Sequence, residues 1–164
     1  MNGLLIGRFQ PFHLGHVEAL RFALSLVDKL WIGIGSSNKP SEKNNPFTAD
    51  ERKEMILSSI DKSISSRIQI YYIPDFENHK KWMENIDLII PDFEVIFTND
   101  ELTQSLYSKR GKKISSVPFI ERETFSGTNI REKIISDQNW QDLVPEGTKR
   151  VLEKIGAKNR LKIL

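Results

Sequence analysis

Apolar runs and amphipathic stretches alternate along the chain. Residues 3–7 form a short, continuously apolar run of the kind that becomes a buried strand, and Val17, Leu20, Ala23, Leu24 and Val27 then recur at helical spacing, predicting a helix over about residues 15–27. A second buried strand is expected at 30–35, followed by a polar loop at 36–46 rich in Asn, Lys and Ser. Thr48 with Glu51 three residues on reads as a capping box opening a helix that turns Met55, Ile56 and Ile60 inward. Strand three is expected at 68–73, and Trp82, Met83, Ile86 and Ile90 fall on the next helix. Strand four is expected at 94–98, then a short helix ending near Gly111, and strand five at 114–117. Residues 128–155 read as helical with an interruption at Pro145. Strands alternating with helices predict a parallel sheet covered on both faces, hence an α/β fold: one doubly wound domain over residues 1–164 with a helical C-terminal part. In such sheets ligands bind beyond the carboxyl ends of the strands, where loops meet helix starts.

Composition narrows the chemistry. A formal charge of +2 implies no polycationic surface, so no nucleic-acid partner is expected. The basic run Lys109-Arg110-Gly111-Lys112-Lys113 lacks interleaved aromatics and sits where a helix should end, so it reads as a solvated turn. The absence of cysteine excludes disulfides, thiolate zinc sites and cysteine nucleophiles. The apolar N-terminal run is too short for a signal peptide, and no apolar stretch approaches the roughly 18 residues of a membrane span. A cytoplasmic protein without membrane partners is the expectation.

The first strand-to-helix junction carries the densest chemistry: Gly7-Arg8-Phe9-Gln10-Pro11-Phe12-His13-Leu14-Gly15-His16. Backbone N–H groups and the positive dipole at a helix start favour anions. Arg8, His13 and His16 add side-chain donors at the same point, and Gly15 leaves room for close approach. The two histidines could instead ligate a metal, but no third ligand stands nearby. No Walker sequence is present, so a phosphate site here is not a P-loop.

His13-Leu14-Gly15-His16 matches the HxGH signature of the nucleotidylyltransferase superfamily, and the longer run from Gly7 resembles the archaeal-type nicotinamide-nucleotide adenylyltransferases. The resemblance continues through Gly33 to Ser36, Asn45 to Arg52, Asp75 and Glu77, Trp82, Ser126 to Arg131, and Leu143 to Pro145, covering nearly the whole chain in order. It implies a Rossmann-like domain that transfers the adenylyl group of ATP to nicotinamide mononucleotide (NMN), giving NAD and pyrophosphate. It implies His13, His16, Arg8 and Arg131 as catalytic groups. ATP binding falls to Gly7, Arg8, Phe9, His13, Gly15, His16, Ser126, Gly127, Thr128 and Arg131, and NMN binding to Gly35, Ser36, Asp75, Glu77, Trp82 and Arg52. Trp82 would stack on the cationic nicotinamide ring. No protein metal site is implied; Mg²⁺ would arrive on the ATP phosphates. A homo-oligomer, commonly a hexamer in this family, is also implied.

Read from the residues alone, Ser126 to Arg131 is a helix start with an arginine one turn on: a plain N-cap with a solvated arginine or, paired with the histidine turn, a second place able to hold phosphate oxygens. Several positions depart from the family pattern. Asn44 stands where some members have arginine, and Lys39 or Lys43 could substitute; His79 replaces an asparagine before the tryptophan; Ser37-Asn38 replaces Ala-Gln; Thr98-Asn99-Asp100-Glu101 replaces Ser-Gly-Asn-Pro. The competing enzymes are relatives acting on phosphopantetheine, FMN or glycerol phosphate. Outside enzymes, the competitor is a nucleotide sensor on the same fold.

Overall fold

The computed structural model describes residues 1–39, 42–118 and 121–164. Residues 40 and 41, which belong to the expected polar loop, lie outside it. The elements in chain order are β1 (Asn2–Gly7), α1 (Leu14–Leu26), β2 (Lys29–Ile34), α2 (Ala49–Ser59), α3 (Lys62–Ser65), β3 (Ile68–Tyr72), α4 (His79–Ile89), β4 (Val95–Phe97), α5 (Glu101–Lys109), β5 (Lys113–Ser115), α6 (Gly127–Ile135), α7 (Glu146–Lys154) and α8 (Ala157–Ile163), with a 3-10 turn at Gln141–Leu143.

All strand pairs are parallel, in the order β3-β2-β1-β4-β5. The chain winds outward from β1 to β3, then returns past β1 to lay down β4 and β5. The direction of winding therefore reverses beside β1, which makes the carboxyl ends of β1 and β4 the expected ligand crevice. Alternating side chains bury both faces. Leu5, Leu30, Ile32, Ile34, Val95 and Phe97 pack with α1, α2 and the C-terminal helices, whereas Leu4, Trp31 and Ile96 pack with Met83 and Ile86 of α4 and Tyr107 of α5.

The expected helices and strands are present with small shifts at their ends, and Thr48 and Glu51 form the reciprocal capping box. The C-terminal part departs most from expectation. α6 stops at Ile135, Asp137 takes a positive φ of 57°, and Pro145 is the residue preceding α7 and not a break within a helix. Gly156, at φ 64°, then separates α7 from α8, a helix the apolar periodicity does not reveal. α8 is tied back to the start of α2, where Arg160 grips both carboxylate oxygens of Glu51, at 2.5 and 2.9 Å, and reaches the Pro46 carbonyl at 3.3 Å.

The basic run at 109–113 is a largely exposed turn, as expected, and two of its side chains bind within the chain. Arg110 binds both oxygens of Asp87 at 2.8 and 2.6 Å, and the Lys112 ammonium donates to the Phe93 carbonyl at 2.6 Å while lying 4.4 Å from the centre of its ring. Among the described residues no helix is long and apolar enough to cross a membrane.

Candidate active site

β1 delivers the chain into the crevice, and α1 begins on a histidine pair in place of the usual hydroxyl or carboxylate cap. His13 is the N-cap: its Nδ1 accepts the His16 N–H at 3.3 Å, and the Nδ1 of His16 accepts the His13 N–H at 3.1 Å. Each Nδ1 therefore works as an acceptor, which puts the proton of the neutral ring on Nε2. The rings stack 3.6 Å apart, Phe12 stacks on His16 at 5.8 Å, and Phe9 meets it edge-on at 4.8 Å. A side chain on Gly15 would place its first carbon 2.9 Å from the His13 ring and 3.2 Å from Phe125, so Gly15 makes room for the imidazole rather than only for a phosphate.

Burial holds His13 down at about 4, and burial followed by the neighbouring His13 holds His16 well below the usual histidine value. Both rings are thus neutral at pH 7 in the ligand-free protein. They are donors of N–H and not cations; positive charge in this region comes from arginine. An unfolded chain would protonate both histidines near pH 6.5, before the folded chain can. Stability is therefore full above that value and lost as the pH falls toward 4, where His13 protonates in the fold as well. Thermal unfolding of the ligand-free protein at pH 7.5 and 5.0 should differ by about 2 kcal/mol from His13 alone. Equal melting temperatures after the carboxylates are accounted for would refute the neutral pair.

Arg8, His13, His16 and Arg131 line one cavity of about 220 Å³ together with Phe9, Gln10, Asn44, Gly127 and Thr128. Two separate helix starts, those of α1 and α6, thus converge. Ser126 caps α6 by accepting the Asn129 N–H at 3.1 Å. Arg131 is drawn across to the first segment, donating to the Gln10 carbonyl at 2.6 Å. Gly127 permits this approach: a first side-chain carbon there would stand 2.8 Å from both the Arg131 guanidinium and the Gln10 oxygen. Burial, then the nearby charge of Arg8, lowers the Arg131 pKa. Neither arginine makes an ion pair with a carboxylate among the described residues. Two close guanidinium groups without a counter-ion form a site for an anion.

A larger cavity of about 570 Å³ opens on the other side of Arg8, lined by Gly7, Gly35, Ser36, Asp75, Trp82, Thr98, Asp100 and Thr103 among others. Arg8 lines both cavities. A third, of about 210 Å³, abuts the histidine pair and includes Gly15, Val117, Arg122, Phe125 and Ser126.

The expected site residues are therefore divided. Arg8, Phe9, His13, His16, Gly127, Thr128 and Arg131 meet in the first cavity; Gly7, Gly35, Ser36, Asp75 and Trp82 line the second; Gly15 and Ser126 line the third. Two of the expected residues line none of these cavities. Glu77 is exposed and pairs with Lys81 at 3.7 Å on the surface. Arg52 is fully buried, and its guanidinium donates to the carbonyls of Thr48, Arg8, Gly35 and Ser36 at 2.7 to 3.3 Å. Burial lowers its pKa to about 10, and it holds the wall of the site from behind without facing a ligand.

Other participants are not singled out by the sequence. Gln10 is buried and exchanges hydrogen bonds with the backbone of Phe47, at 3.0 and 3.1 Å, pinning the loop before α2 against the first segment. Asn44, Thr98 and Asp100 line cavities at positions that depart from the family pattern, which was the available signal.

The chain is similar to known proteins in both sequence and fold. Residues 4–133 match the family described as cytidylyltransferase-like. The chain is 37% identical to the nicotinamide-nucleotide adenylyltransferase of Pyrococcus furiosus, covering 99% of this chain and 88% of that one. It is 36% identical to the enzyme of the same name from Methanococcus aeolicus, covering 100% and 95%. Among solved structures, a bifunctional NMN adenylyltransferase/ADP ribose pyrophosphatase from Francisella tularensis superposes with a TM-score of 0.83 over 98% of this chain at 23% identity. This chain spans about half, 51%, of that bifunctional protein, and the likeness is one of fold.

Proposed function

We propose, from the premise that this chain belongs to the nicotinamide-nucleotide adenylyltransferases within the cytidylyltransferase-like family, that it is an enzyme joining ATP and NMN to give NAD and pyrophosphate. The observation that carries the reading is the position of Arg8, which borders both the anion cavity and the larger pocket beside Trp82. That is where the phosphates of two nucleotides would have to meet.

The triphosphate occupies the cavity between the starts of α1 and α6, its adenosine lies toward the cavity at Phe125 and Ser126, and NMN takes the pocket with Trp82. A phosphate oxygen of NMN attacks the α-phosphorus of ATP in line. A new phosphorus–oxygen bond forms as the bond to the bridging oxygen of the β-phosphate breaks, and pyrophosphate carries the electron pair away. The attacking phosphate is already ionised at neutral pH, so no strong general base is needed, and catalysis rests on positioning and charge. His13 and His16 offer Nε2–H groups to phosphate oxygens, while Arg8 and Arg131 balance the charge gathering on the leaving group.

Mg²⁺ would supply further neutralisation of the phosphates when bound with ATP. The triphosphate cavity is lined by cationic, amide and hydroxyl groups without a carboxylate, which fits an ion whose ligands are phosphate oxygens and water. Assembly into a homo-oligomer, a hexamer in the family's usual pattern, and residence in the cytoplasm belong to the same proposal.

The test is pyrophosphate release from ATP and Mg²⁺ with a panel of acceptors: pyridine mononucleotides, phosphopantetheine, FMN and glycerol phosphate. Turnover is expected only with a pyridine mononucleotide. Tight binding of ATP without turnover for any acceptor would point to a sensor instead.

A further inference from the structure

The 570 Å³ pocket distributes its charge unevenly. Arg8 is its one cationic lining side chain among the described residues, and Arg8 stands on the border with the triphosphate cavity. The two ionisable groups beyond it are carboxylates, Asp75 from the end of β3 and Asp100 from the end of β4, with Trp82 between chain segments as the flat apolar surface. Asp75 is partly satisfied: its Oδ2 accepts the Ser36 hydroxyl at 2.9 Å and lies 3.8 Å from the Lys39 ammonium.

Asp100 is less committed. As the N-cap of α5 it uses Oδ2 for the Thr103 N–H at 2.9 Å and the Thr103 hydroxyl at 2.7 Å, which leaves Oδ1 without a protein donor among the described residues. Those hydrogen bonds hold its carboxyl below the usual carboxylate range, with a smaller contribution from His79 at the start of α4. A full negative charge therefore faces the pocket at neutral pH.

A pyridine mononucleotide presents a cationic ring to such a wall, and its ring substituent decides the rest. A carboxamide is neutral and can donate to a carboxylate oxygen. A carboxylate at the same position would meet like charge from Asp100. We infer that Asp100 is a specificity-determining residue that selects a mononucleotide with a neutral ring carboxamide over one with a ring carboxylate. The inference rests on the reading that a pyridine mononucleotide binds in this pocket.

The experiment compares kcat/KM for NMN and for nicotinic acid mononucleotide, with saturating ATP and Mg²⁺ at one fixed pH, in the parent enzyme and in Asp100→Asn. Asparagine caps a helix as well as aspartate does, so the variant keeps α5 in place while losing the charge. The parent should favour the carboxamide by about tenfold or more, and the variant should lose most of that preference. A change in the ratio of two substrates is not what a general loss of structure produces. A parent that uses both within about twofold, or a variant whose ratio matches the parent's, would overturn the inference while leaving adenylyl transfer intact. No turnover of either mononucleotide by the parent would instead remove the functional reading, and the inference with it.

Discussion

His16→Ala is expected to lower kcat by roughly a hundred- to a thousandfold, about 2.7–4 kcal/mol of transition-state stabilisation, the effect of deleting one preorganised donor aimed at developing charge. The size follows from how the ring is held. Its Nδ1 is occupied by the His13 N–H, its faces are packed by His13 and Phe12, and its remaining N–H borders the cavity that Arg8 and Arg131 share. Nothing has to reorganise for it to donate at the moment pyrophosphate departs. Single-turnover rates with both substrates bound would separate chemistry from binding. A kcat within threefold of the parent would remove His16 from the chemical step.

Arg52→Met should act first on stability. The side chain crosses the interior to reach the carbonyls of Arg8, Gly35 and Ser36 as well as that of Thr48, the cap of its own helix, and methionine leaves the Arg8 and Gly35 oxygens without this donor while Ser36 and Thr48 keep others. Hydrogen bonds from a charged donor are worth about 1.5–3 kcal/mol each, so losing the pair to Arg8 and Gly35 costs about 3–5 kcal/mol once the site relaxes. For a chain of this size that corresponds to a fall in melting temperature of roughly 6–20 °C. Because the oxygens of Arg8, Gly35 and Ser36 belong to residues that line the 570 Å³ pocket proposed for NMN, the KM for NMN should rise as well. A melting temperature within about 2 °C of the parent would show that water replaces the guanidinium without cost.

The contrast between these two residues shows what local sequence can carry. Strand and helix positions follow from periodicity, since Leu20, Ala23 and Leu24 or Met83 and Ile86 bury one face whatever lies opposite. The turn proposed to hold phosphate was equally visible, because Arg8, His13 and His16 cluster within nine residues of chain. Arg52 was not. In a helix reading Asp-Glu-Arg-Lys-Glu, a buried arginine looks like its solvated neighbours, and only the arrival of loops from β1 and β2 makes it interior. The convergence of Arg131 on Gln10, 121 residues earlier, likewise exists only once the sheet is assembled. The histidine pair is an intermediate case: the residues were legible, but histidine is not a customary helix cap, so its neutral state was not. In the C-terminal part, short helices separated by positive-φ residues gave too few turns for a periodic signal.

Arg160 gives that last part its meaning. α8 lines none of the three cavities around Arg8 and the histidine pair, although its Leu161 and Lys162 line a neighbouring cavity of about 360 Å³ with Thr128 and Arg131, and every recognisable signature has ended by the time the chain reaches it. Yet its guanidinium fork fastens the very turn from which the hidden Arg52 departs, so the tail serves as a keystone for the centre beside it. Judging natural variants of this enzyme by their signatures alone would pass over drift at position 160, where loss of the fork would loosen the scaffold while leaving every motif legible.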